Sequence, residues 1–171
     1  GTLGYSLTLL VQVLIQGELL ETREKRRMQK RLEALKDHYI ICGVGRFGSL
    51  VAQGLTAERA GFAVVEHDRE LAETVAADGW IVVHGDATRE DVLQRAGIER
   101  ARGLVCALPS DSDNVYVALT ARDLAPELLI VARANEESTI PKLRKAGANK
   151  VISPLRTGAH QIVQALTLPS V

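Results

Sequence analysis

The chain is poor in the residues that build metal and redox centres. It has two cysteines and four histidines (His38, His67, His84 and His160), with no Cys-x-x-Cys and no paired-histidine spacing. That argues against metal ligation and against a disulfide framework. Cys42 closes one apolar run and Cys106 lies inside another, LVCAL at 104–108. Both read as small buried residues in a reducing compartment. Low-complexity tracts are also missing, and the two halves share only an alternation of strand and helix.

Net charge is lacking too: 21 basic residues balance 21 acidic ones. The balance is uneven along the chain. Residues 22–36 carry seven Lys or Arg against Glu24 and Glu33, leaving 14 basic and 19 acidic residues elsewhere. A nucleic-acid binder needs its positive charge on the folded surface. The folded part is mildly acidic instead, which argues against nucleic acid as a partner.

The first 17 residues contain no charge, and the chain does not begin with Met. There is neither the basic start nor the small-residue cleavage site of a signal peptide, so the chain is expected to belong to a longer one. As a helix this apolar head would span roughly 25 Å, a little short of a bilayer core. Two readings fit: a helix packed in protein, or the end of a transmembrane helix. The positive segment directly behind it favours the second. Residues 18–37 hold no Gly or Pro, so a solvated helical stalk is expected there, with Glu21 and Lys25 paired one turn apart.

From residue 38 on, apolar runs near 38–42, 62–66, 80–84, 103–107, 128–134 and 150–152 read as strands. Helical patterns fall near 46–60, 69–78, 90–96, 114–125, 136–146 and 158–166. Continuous rather than alternating apolar strands, each followed by a helix, predict an α/β fold: a doubly wound parallel sheet, Rossmann-like, preceded by an N-terminal helix. Ligands of such sheets bind beyond the carboxyl ends of the strands.

The polar groups at those ends define the candidate site. After the first strand comes IICGVGRFG at 40–48, with glycines at 43, 45 and 48, and Glu66 lies 18 residues past the last of them. A bare glycine pattern fits a tight strand–helix turn equally well. With the acid at the end of the second strand, nucleotide binding is the stronger reading: Gly43 for the turn, Gly45 for close approach of a pyrophosphate, Gly48 for helix–sheet packing, and Glu66 for the ribose. Arg46 sits inside the loop, where it could meet a terminal phosphate bidentately. Asp86, in HGDAT at 84–88, fits both a turn or capping role and a ligand contact. For Arg133 a surface ion pair is the default.

At this point the chain resembles the family of potassium-conductance regulator domains (RCK, also called KTN or TrkA-N). The resemblance rests on YIICGVGRFG (39–48), VVEHD (64–68), HGDAT (84–88) with Leu93, and AGANKVISP (146–154). The head, GTLGY at 1–5 through Gln16, Gly17, Glu18 and Leu19, looks like the end of the pore-lining inner helix of two-transmembrane prokaryotic potassium channels. The resemblance divides the chain into 1–21, the end of a transmembrane helix; 22–37, a charged helical linker; and 38–171, the Rossmann-like lobe with its crossover helix. It implies a membrane-attached protein with this lobe on the cytoplasmic side, potassium passing through an attached pore, and assembly as a dimer and then a tetramer or octameric ring. The family's filter and C-terminal lobe are not among these residues.

The resemblance also implies a set of ligand contacts: Gly43, Val44, Gly45, Arg46, Phe47, Gly48, Glu66, His67, Asp68, Gly85, Asp86, Ala87, Arg133 and Glu136, with Asp86 and Ala87 near the adenine edge and Arg133 and Glu136 at the mouth. Calcium-gated members carry carboxylates after the fifth strand. Here Arg133 and Asn135 stand there, which suits an anionic nucleotide better than a cation. An acid at Glu66 disfavours a 2′-phosphate, so NAD(H), ADP or ATP are the expected ligands, and the choice among them stays open. No catalytic or metal-binding residue is expected. The alternatives are a peripheral regulatory subunit of a potassium uptake system, which would start near Tyr39 without an apolar helix, and the nucleotide half of an NAD-dependent dehydrogenase. Nothing in 153–171 supplies the acid/base a dehydrogenase needs; His160 sits beside Ala159 and Ile162 on a helix.

Overall fold

The computed structural model describes residues 1–168, and it divides into two compact units, Gly1–Ala34 and the residues from Leu35 on. The first unit is a single helix, α1 (Thr2–Glu33). Among the described residues this is the one helix long and apolar enough to cross a membrane, with an 18-residue window of mean hydropathy 1.4. The apolar side chains of its first twenty residues, Leu3, Leu7, Leu10 and Leu14 among them, are exposed. Further along, Lys25 pairs with Glu21 at 3.3 Å. One unbroken helix runs through both the expected head and the expected stalk. It stops at Glu33 rather than at residue 37. Asp37 takes a left-handed conformation (φ 50°) that Asp tolerates and a helix does not.

The second unit is a six-stranded, all-parallel sheet: β1 (Tyr39–Cys42), β2 (Phe62–Glu66), β3 (Ile81–His84), β4 (Gly103–Cys106), β5 (Leu129–Arg133) and β6 (Lys150–Ile152). The strand order is β3-β2-β1-β4-β5-β6, the doubly wound order. The helices between are α2 (Arg46–Ala57), α3 (Arg69–Ala77), α4 (Glu90–Arg95), α5 (Asp111–Leu124) and α6 (Ile140–Ala146), and α7 (Pro154–Thr167) follows β6. β1, β2 and β4 are almost wholly buried, every residue of β2 included, whereas β5 alternates and the edge strands β3 and β6 are half-exposed. Helices therefore cover both faces, as continuous apolar strands require. One part of the core joins Ile41, Val44, Ala52, Phe62, Val64 and Val75. Phe62 meets Trp80 edge-on, 5.7 Å between ring centroids.

The boundaries that differ from expectation have local causes. Helix α2 ends at Ala57, because Arg59 turns left-handed (φ 56°). Helix α5 starts earlier than residue 114: the Ser110 hydroxyl caps it by accepting the Asp113 N–H. Residues 136–146 split into a 3-10 turn, Glu137–Thr139, and α6, whose early Pro141 lacks an N–H to give. Pro154 opens α7 rather than preceding it, since proline is pre-set for the first helical position and Ser153 caps the end. A 3-10 turn at Ile98–Arg100 was not anticipated. Residues 169–171, the end of the expected lobe, lie outside the described residues.

Both cysteines are buried and free, and burial pushes the Cys42 thiol up to about 12 and Cys106 well above its usual range. They are inert packing residues. His38 is also fully buried, at the start of the sheet. Its Nε2 lies 2.8 Å from the Ala96 carbonyl, which can only accept, so Nε2 carries the proton. Its Nδ1 has no partner among the described residues. Burial holds the imidazole below the ordinary 6.5, with the Ala96 bond opposing in part. The unfolded chain therefore takes up a proton near pH 6.5 that the native state refuses, and stability falls as pH drops through that value toward the folded pKa. Lowering pH from 7.5 to 5.5 should reduce the unfolding free energy of the wild type more than that of His38→Gln, by up to about 1.4 kcal/mol for each pH unit below the unfolded value, as read from denaturant melts at each pH. Parallel curves would place the acid sensitivity elsewhere.

Candidate nucleotide-binding crevice

The strand order reverses between β1 and β4, so the crevice opens at their carboxyl ends. Gly43 leaves β1 at φ 92° with its N–H given to the Val65 carbonyl. A Cβ there would stand 3.0 Å from the Ala107 carbonyl oxygen and 3.1 Å from a Leu108 methyl. Gly48 is held more tightly: its Cβ would lie 1.8 Å from the Gly43 carbonyl oxygen. Helix α2 thus starts directly against the turn. Around Gly45, in contrast, a Cβ would meet nothing within 4 Å. The turn is closed where it touches protein and open where a ligand would come.

The first turn of α2 has no side-chain cap and no acidic residue, which leaves its N–H groups and positive dipole end for an anion. Arg46 stands exposed at its first position, where a cation is intrinsically disfavoured until a negative ligand arrives. Phe47, half-buried, follows it.

Glu66 is 6% exposed. Its Oε2 accepts the Val44 N–H and its Oε1 the Asp68 N–H, both at 3.0 Å, while His67 Nδ1 lies 3.1 Å from Oε1. A carboxylate offers about four lone-pair sites, and three are engaged. Glu66 therefore ties the glycine turn to the end of β2. Asp68 caps α3, taking the Leu71 N–H at 2.8 Å. Asp86 does not cap α4, whose N-cap is Arg89. It forms a turn instead, accepting from Thr88 N at 2.9 Å and Thr88 Oγ1 at 2.7 Å. Those two bonds, the backbone one first, hold its carboxyl below the usual range, helped by His67.

A cavity of about 170 Å³ lies between the ends of β2, β3 and β4, lined by Val65, His67, Gly85, Asp86, Ala87, Leu108, Pro109 and Asp113. Whole-ligand pockets run to roughly 300–1,000 Å³, so this cavity alone is smaller than a pocket for a whole ligand. It gathers four of the residues singled out from sequence: His67, Gly85, Asp86 and Ala87. Glu136 does not line it; it opens the 3-10 turn after β5, and its N–H is bound by Asp111 Oδ2 at 2.9 Å. Arg133 makes no surface ion pair among the described residues. Its guanidinium lies over the Phe47 ring, 5.3 Å from the centroid, and Nη2 donates to the Leu108 carbonyl at 3.2 Å.

Sequence reasoning missed the loop after β4. Leu108, Pro109 and Asp113 wall the cavity, and buried Asn114 fastens that loop: its Oδ1 accepts Leu108 N–H at 2.9 Å, and its Nδ2 donates to the Leu108 and Arg133 carbonyls at 3.0 and 3.2 Å. Asp111 holds the far side, accepting the Asn135 and Glu136 N–H groups. Burial alone would raise its pKa, but those donors outweigh it and the net direction is down. Chain topology was the available signal: β4 follows the crossover and must neighbour β1.

The family model described as TrkA-N domain matches residues 39–154. Two potassium channel proteins of Methanocaldococcus jannaschii resemble the whole chain: "Probable potassium channel protein 2" at 36% identity over 51% of its length, and "Potassium channel protein 1" at 34% over 52%. The chain thus spans about half the length of these curated relatives, and neither is named as an enzyme. Among solved structures, the TrkA-N domain of the inner membrane protein ybaL from Escherichia coli superposes with TM-score 0.75 at 28% identity, over 78% of this chain and 98% of that one. The GsuK channel bound to NAD gives TM-score 0.65 at 31% identity, over 71% of this chain and 22% of that one. GsuK bound to ADP gives 0.67 at 33%, over 83% and 37%.

The contrast between two glycines checks the geometry. Gly48→Ala should lower the melting temperature sharply, by the equivalent of several kcal/mol, because backbone must move. Gly45→Ala should leave it nearly unchanged. Similar melts for the two variants would contradict the packing described.

Proposed function

The chain belongs to the TrkA-N domain family, and from that premise we propose that it is the ligand-sensing part of a potassium channel, binding an adenine nucleotide, NAD(H) or ADP/ATP, in the crevice at the β1–β4 reversal. The observation that carries this is the uncapped, acid-free start of α2 set against an open glycine turn, with a small cavity at the ends of the strands beside β1. Phosphates would sit on the N–H groups of Arg46, Phe47 and Gly48, with Arg46 on the outer charge. The base would enter beside Asp86 and Ala87. Glu66 would give its one uncommitted lone pair to a ribose hydroxyl, with His67 and Asp68 beside it. Relatives solved with NAD and with ADP support a nucleotide ligand.

The remaining assignments follow the same reading. Residues 1–21 would be the end of a transmembrane inner helix, 22–37 the linker, and 38–171 the regulatory lobe. The exposed apolar side chains and the basic segment behind them support attachment to a membrane with the lobe on the cytoplasmic side. Helix α7 buries none of its residues and exposes Leu155, Ile162, Val163 and Leu166, which suits pairing of lobes into a dimer-based ring. Nucleotide occupancy would then act on potassium flux only through its different affinity for the ring's different shapes.

A thermal-shift panel tests the core of this. ADP, ATP, NAD or NADH at 100-fold above its dissociation constant should stabilise the chain by about 2.7 kcal/mol. Gly45→Asp, which puts a carboxylate into the open phosphate position, should abolish the shift while the ligand-free melt persists. An unchanged shift would overturn the phosphate-loop assignment. Separately, Glu66→Ala should cost about 1–3 kcal/mol without ligand, since it orphans the buried Val44 N–H. No loss would mean that Glu66 does not hold the turn.

A further inference from the structure

The two halves of the crevice are not equally open. On the β2–β3 side lies the cavity beside His67, Asp86 and Ala87. On the β5 side, Arg133 leaves the end of its strand and reaches Phe47, in the first turn of the helix that follows β1. The sheet order places β4 between β1 and β5. The guanidinium therefore lies across the end of β4, and it is fastened there by its bond to the Leu108 carbonyl. Leu108 marks the midline: its methyl abuts Gly43, its residue walls the cavity, and its carbonyl holds Arg133.

Doubly wound sheets take a dinucleotide across this reversal, one nucleoside on each half. In this chain the second half is spanned by a cation held over a ring. That cation also has an unsatisfied donor: Arg133 Nε is buried without a hydrogen-bond partner among the described residues. A nucleotide that ends in a free phosphate offers such a donor an acceptor and brings the charge to match it. A dinucleotide offers a fully esterified pyrophosphate and a second nucleoside that must push this cation–ring pair aside. Resting on the nucleotide reading above, the geometry points to Arg133 and Phe47 as specificity-determining residues that select a nucleoside diphosphate over a dinucleotide. Arg133 acts as both bar and phosphate reader, and Phe47 sets its position.

Titration calorimetry of the whole chain in detergent, with ADP and NAD as probes, tests this. The wild type should bind NAD at least tenfold more weakly than ADP. Arg133→Met removes the cation and Phe47→Leu removes the platform; in each, the ratio of NAD to ADP dissociation constants should fall at least fivefold. Arg133→Lys, cationic but not planar, should lie between. Should one variant fail to fold, the other decides. A wild type preferring NAD, or a ratio unmoved in the folded variants, overturns the proposal. Silence toward both probes would instead overturn the nucleotide reading itself, and this one with it.

Discussion

Helix α2 can reach the end of β1 only because residue 48 has no side chain. With a Cβ placed 1.8 Å from the Gly43 carbonyl oxygen, the helix would have to back away from the sheet. The site depends on this approach. It brings unpaired N–H groups and the positive end of a twelve-residue helix to the mouth of a turn that is itself held by Gly43 and by the Glu66 carboxylate on Val44 N–H. Core packing of Ile41, Val44 and Ala52 under the loop makes the arrangement rigid. An anion entering there meets donors already in place, so little ordering is left to oppose binding.

Much of this was legible in the sequence because the residue types have few alternatives. Unbroken apolar strands such as FAVVE announce a sheet covered on both faces, and the spacing of glycines 43, 45 and 48 before Glu66 fixes where phosphates would lie. Helix ends were read less well, since they turn on single residues: Arg59 and Asp37 in left-handed conformations, and Pro154 opening a helix it seemed to precede. The loop after β4 escaped notice for a different reason. Leu108 and Pro109 carry no chemistry of their own, and only the strand order sets them opposite the glycine turn. The hold of Glu66 on the glycine turn was likewise invisible, because a carboxylate at that position looks the same whether its oxygens face a ribose or the protein's own backbone.

The loops around the crevice are cross-tied rather than independent. Asn114 joins the turn after β4 to the end of β5, and Asp111 joins the start of α5 to the segment after β5. Arg133 adds a link from β5 to α2 through Phe47. A ligand that displaced the guanidinium would therefore disturb three elements at once. That is a physical route by which occupancy of one pocket could alter the outer surface of the lobe, whereas His38, buried at the opposite end of the sheet, acts on its stability.

The central claim is that phosphate sits on the backbone N–H groups at the start of α2. Amide chemical shifts of the 15N-labelled protein titrated with ADP read those groups directly. The account predicts the largest saturable shifts at Gly45, Arg46, Phe47 and Gly48, with a second set at Asp86 and Ala87. Saturable binding that leaves the four loop amides unmoved and perturbs another surface would contradict it.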